Sequence, residues 1–135
     1  MNKESLNLLE NYLKSGLTSL LVQNVPTNIF TNSVVIPASI DCSELNGHYE
    51  NIEFCPPSWY QELVEKSKTS TVILIIENIN EIPQEEQTKF IEILKYKKVS
   101  TFFLPKNCLT IVTYSDLKLN KINEEVYSLL ALVEG

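Results

Sequence analysis

Residues 71–83 read TVILIIENINEIP, six consecutive β-branched or apolar residues that run straight into Glu77 and Asn78. A strand with one face in water alternates apolar and polar side chains, and this one does not alternate. A membrane-crossing helix needs about 20 apolar residues, so the run is far too short for that. The remaining reading is a strand covered on both faces, which belongs at the centre of a parallel sheet flanked by helices.

The rest of the chain agrees with that architecture. TSLLVQ (18–23) and CLTIVTYSD (108–116) are further apolar strands, and SVVIPAS (33–39) is another, with Pro37 marking a sheet edge or a strand end. Between them lie helical patterns. Leu6, Leu9 and Leu13 share a face of 3–14 before Gly16. PPSWYQELVEKSK (56–68) opens on prolines and a serine and carries Trp59, Leu63 and Val64 as its stripe. PQEEQTKFIEILKYKK (83–98) begins with acids and ends with lysines, as the helix dipole favours, with Phe90, Ile91 and Leu94 facing inward. VSTFFLPKN (99–107) suits a short hairpin, and IDCSELNGHYENIEF is expected to be irregular or a loose hairpin. NEEVYSLLALVEG (123–135) places Val126, Leu129, Leu130 and Val133 at helical spacing.

Strands alternating with helices over 135 residues predict one α/β domain, residues 1–135, with a mainly parallel sheet. The opening segment carries acids and lacks a small-residue cleavage site, so a cytoplasmic location is expected, with no membrane partner. Cys42, Cys55 and Cys108 are widely spaced and accompanied by the single histidine His48, a poor set of metal ligands; they are expected to be buried or half-buried free thiols. His48 beside Tyr49 has no nucleophile motif to serve. The net charge is −6 and all 11 basic residues are lysine. Without arginine or a basic excess, nucleic acid is disfavoured as a partner. The FFLP stretch (102–105), if it tips an exposed hairpin, would offer apolar surface to another protein.

In open parallel sheets ligands bind beyond the carboxyl ends of the strands, here LLVQNVPTN, ILIIENIN and TIVTYSD. Taken in order, residues 54–116 resemble AAA+ ATPases of the P-loop NTPase superfamily, closest to the MoxR-like branch. FCPPSWYQELVEKSKTSTVILIIENINEIP resembles the segment that ends in the Walker B strand, EEQTKFIEILKYKK the helix after it, Leu104-Pro105 the following hairpin, and CLTIVTYSD the sensor-1 strand. The resemblance implies a three-layer αβα sandwich reduced to the core, without the helical lid.

It also implies which residues would do the chemistry, and these depart from the family. Walker B ends in Asp-Glu, the first ordering magnesium's water and the second activating the attacking water. Glu77 stands at the first position and Asn78 at the second, where an amide cannot accept a proton. Asp116 falls at sensor-1, usually asparagine. NVPTNIFTNS offers neither the glycines nor the lysine of a phosphate loop, and there is no arginine to serve as a finger. The expectation is a domain without catalytic residues or cofactor, with Glu77, Asn78 and Asp116 as remnants. It would act by protein contact, for instance toward an active AAA+ ATPase. The alternative is metal or nucleotide binding by Glu77 and Asp116 at neighbouring strand ends.

Overall fold

The computed structural model describes residues 19–23, 32–50, 53–99, 102–115 and 122–133. The expected helix at 3–14, the NVPTN segment and Asp116 lie outside the described residues, as does the side chain of His48.

Nine strands and five helices are described, in the order β1 (Ser19–Gln23), β2 (Ser33–Pro37), α1 (Cys42–Asn46), β3 (His48–Glu50), β4 (Glu53–Cys55), α2 (Ser58–Ser67), β5 (Val72–Glu77), α3 (Gln84–Gln87), α4 (Ile91–Tyr96), β6 (Lys98–Val99), β7 (Phe102–Phe103), β8 (Cys108–Tyr114), α5 (Glu124–Ser128) and β9 (Leu130–Val133). Two single 3-10 turns, Ile79–Glu81 and Thr88–Phe90, flank α3. Five strands form one sheet in the order β2-β5-β8-β1-β9, every neighbouring pair parallel. The mixed α/β architecture with a parallel sheet is as expected.

Strand β5 sits between β2 and β8, and Val72, Leu74, Ile75 and Ile76 are buried. Alternate residues supply opposite faces. Val34, Ile36, Val72, Leu74, Ile76, Leu21 and Val112 share one core with Leu45 of α1, Trp59 and Leu63 of α2, Phe90, Ile93 and Leu94 around α4, and Val126 of α5. On the other face Leu20, Ile75 and Ile111 are exposed by no more than 1%, so that face is covered too. Each such side chain contributes about 1.5–3 kcal/mol on burial, and β5 alone brings four.

Three expectations need correction. Of the segment expected to be irregular or a loose hairpin, the hairpin is found as β3–β4, but 42–46 before it is a short helix; Gly47 at φ 84° ends it, a left-handed conformation that favours glycine. The segment 83–98 is not one helix. Gln87 is fully buried, its amide donating to the Ile82 carbonyl and accepting the Asn123 N–H, and Thr88 turns its hydroxyl back onto the Glu85 carbonyl. The backbone tightens to a 3-10 turn there; Ile93 is buried with Phe90 and Leu94, while Ile91 is half-buried and packs against the same core. Finally, the described part of the last segment, 123–133, is a five-residue helix and then strand β9, whose Leu130–Val133 pair with Ser19–Val22 of β1. The backbone groups on the outer side of β1 need partners, and this demand overrides the helical spacing of the leucines.

Candidate functional site

The connection from β1 crosses over β8 and β5 to reach β2, whereas that from β8 crosses β1 to reach β9. The strand order therefore reverses between β1 and β8, and the crevice of a ligand site is expected at their carboxyl ends. Gln23, Tyr114 and Ser115 border it, with Glu77 and Asn78 one strand further along. From the end of β1 to the start of β2 are nine residues, 24–32. A phosphate loop followed by a crossover helix needs more chain than that.

Glu77 ends β5 half-buried, and its carbonyl accepts the Ala38 N–H at 2.9 Å. Its position in the alternation puts it on the sheet face of Ile73 and Ile75. Asn78 follows at φ 59° and ψ 56°, a left-handed conformation that asparagine tolerates better than most residues. Its N–H donates to Thr113 Oγ1 at 2.9 Å, and its carbonyl accepts the Glu81 N–H to close the 3-10 turn. Asparagine at this position thus has a backbone role: it turns the chain sharply at the strand end.

That turn delivers Asn80, which the sequence reading did not single out. Its side chain is 6% exposed. Nδ2 donates to the Ser115 carbonyl at 3.0 Å, and Oδ1 accepts the Ser115 N–H at 3.0 Å. One amide side chain so imitates a backbone neighbour and prolongs the β5–β8 ladder past the last residue of β8. With Asn78 on the 2%-exposed Thr113, the ends of β5 and β8 are sewn together. A second asparagine two positions beyond Asn78, between Ile79 and Glu81, was the available signal. Among the described residues no group of three or more His, Cys, Asp or Glu is arranged to hold a metal ion, and no helix is long and apolar enough to cross a membrane.

The three thiols differ. Cys55 and Cys108 are half-buried as expected, but Cys42 is exposed because it opens the short helix α1. At the amino end of the sheet, Lys97 has an exposed stem whose ammonium turns in to Ser19 Oγ at 2.6 Å. Burial lowers its pKa, opposed by Cys108 nearby. Burial also pushes the Cys108 thiol up from 9.0 to about 11. Above pH 9 the unfolded chain therefore releases a proton that the folded one keeps. The stability tied to Cys108 is full below pH 9 and is lost as pH rises toward 11, at about 1.4 kcal/mol per unit. Lys97 works the other way, because lowering its folded pKa makes stability rise as pH passes through it. Urea unfolding across this range should show the loss as a difference between variants: whatever Cys108→Ala costs near neutrality should shrink by about 2–3 kcal/mol by pH 11. A pH-independent difference would contradict it.

No protein-family model matches the chain, and no curated protein matches it. Among solved structures, the chain is similar to a candidate ATPase from Cytophaga hutchinsonii, with a TM-score of 0.58 and 17% identity over 86% of this chain. It spans 39% of that protein's length. The likeness is one of fold: a parallel α/β core shared at low identity.

Proposed function

We propose that the chain is an AAA+-like α/β domain without ATPase activity that works through contacts with other proteins, an active AAA+ ATPase being the partner class in view. The observation that carries this reading is the sewn strand end. Where a nucleotide-hydrolysing site of this kind would hold a water-activating carboxylate, Asn78 is turned into a left-handed bend and Asn80 occupies itself with the Ser115 backbone. The chain also offers no glycine or lysine between β1 and β2 and no arginine anywhere. These departures support one another, since losing the base alone would leave phosphate binding intact.

Calorimetric titration with ATP or ADP in the presence of magnesium tests this directly. No binding heat is expected at millimolar nucleotide, and micromolar binding would overturn the reading. Magnesium, manganese or calcium should likewise leave the melting temperature unchanged. A stabilisation that Glu77→Gln abolishes would instead favour a metal site at that strand end.

A further inference from the structure

Strand β2 is an edge of the five-stranded sheet, bonded to β5 on one side and to no described strand on the other. In such a pair alternate residues turn both backbone groups toward the neighbour. The Asn32 carbonyl accepts the Ile73 N–H at 3.0 Å, and the Ala38 N–H donates to the Glu77 carbonyl at 2.9 Å. With Val34 in register with Leu74 and Ile36 with Ile76, the even-numbered residues face β5, and Ser33, Val35 and Pro37 face outward.

Ser33 and Pro37 cannot make a full outward pair. The Ser33 carbonyl accepts Lys66 Nζ at 2.7 Å. Pro37 has no N–H to give, and its carbonyl accepts the Ile40 N–H at 3.0 Å. Val35 remains, the one residue of β2 that turns both a donor and an acceptor outward with no described partner. Its side chain is 39% exposed. An open stretch in an otherwise blunted edge is a template for one more strand.

A cavity of about 840 Å³ lies beside this opening. Val35, Ile36 and Pro37 border it, and their side chains alternate between the sheet faces, so backbone as well as side chain lines the groove. Pro57 and Trp59 at the start of α2 form another wall. Trp59 Nε1 donates to the Leu45 carbonyl at 2.9 Å, which ties that wall to α1. The charged residues of the described lining are Glu44 and Glu62, both exposed. Lys66 pairs with Glu62 at 3.0 Å, whereas no described cation pairs with Glu44.

We propose that the open edge of β2 takes one extended, basic segment of another protein, paired antiparallel with Val35 and pointing a lysine or arginine toward Glu44. In an antiparallel pair two facing residues exchange both bonds, which suits an edge with a single fully open residue. A residue in register with Val35 shares its side of the sheet, so an apolar side chain there covers the exposed valine. Its two neighbours in sequence point to the other side, where Ile36, Trp59 and the carboxylates stand. Charge selects among extended segments, because two lining carboxylates and a net charge of −6 attract a cationic peptide and repel an acidic one. Main-chain bonds then supply affinity and alternate side chains supply specificity. The proposal gives the protein-contact reading its surface and rests on it.

Fluorescence anisotropy of a labelled, end-blocked heptapeptide that alternates lysine with valine, titrated with the full chain, tests it. Saturable binding in the micromolar range is expected at about 0.1 M salt, weakening toward 1 M as the charges are screened. Methylating the valine nitrogens removes the donors that face β2 and keeps every side chain; it should weaken binding about tenfold or more. Replacing the lysines of the peptide by glutamates should abolish binding, and Glu44→Lys in the protein should weaken it about tenfold. Val35→Pro removes only an outward N–H and should lower affinity by a similar factor, with circular dichroism melting to show that it is folded. If Val35→Pro does not fold, the methylated peptide on the wild-type chain decides. No binding of the alternating peptide, equal binding of the methylated one, or equal binding of the glutamate one would overturn the proposal. Calorimetric binding of nucleotide would overturn the reading of a domain without ATPase chemistry and leave strand pairing at β2 standing, so the two fail separately.

Discussion

Asn80→Ala should destabilise the fold by about 2–3 kcal/mol, a large effect for a residue beyond a strand end. The side chain makes two 3.0 Å bonds to the Ser115 backbone, one as donor and one as acceptor. A net hydrogen bond is worth about 1 kcal/mol, but a half-buried N–H and C=O left facing an apolar methyl group lose more than that. Asn80→Asp separates the two bonds. It keeps the acceptor for the Ser115 N–H and loses the donor for the carbonyl, so it should recover only part of the loss. Urea unfolding reads the stability, and amide exchange at Ser115 reads the location, since its N–H should open in Asn80→Ala before β8 itself does. Equal stability of Asn80→Ala and wild type would mean that the two strand ends are held by something other than this amide.

The same residues show what could be read from the chain and what could not. β5 was legible because an apolar run of that length has few places to go, and Pro37, whose ring nitrogen has no hydrogen to give a neighbouring strand, pointed to a sheet edge or a strand end, both of which hold for β2. Such signals are local. Asn78 was read through the resemblance as a missing base; its φ of 59° adds a reason internal to the fold, because asparagine suits that turn. The roles of Asn80 and Gln87 were not legible. Each buries an amide against backbone groups far along the chain, Ser115 in one case and Asn123 in the other. Strand β9 was misread for the same cause. Its Leu-Ala-Leu-Val sequence is compatible with either helix or strand, and only the presence of β1 beside it decides.

Phe90→Ala is expected to have the largest effect of any substitution considered, about 3–5 kcal/mol. Phe90 is fully buried and ends the 3-10 turn that breaks the 83–98 segment, with φ −92° and ψ −6° at the point where α4 begins. Its ring packs into the core shared by the sheet, α2, α4 and Val126 of α5, so truncation opens a cavity that several elements would have to move together to close. Phe90→Leu keeps most of the volume and should cost markedly less. Urea unfolding of Phe90→Ala and Phe90→Leu beside wild type reads the difference, as a fall in the midpoint that is large for alanine and small for leucine. If Phe90→Ala remained as stable as wild type, the broken helix would be held by its polar contacts at Gln87 and Thr88 rather than by the core beneath it.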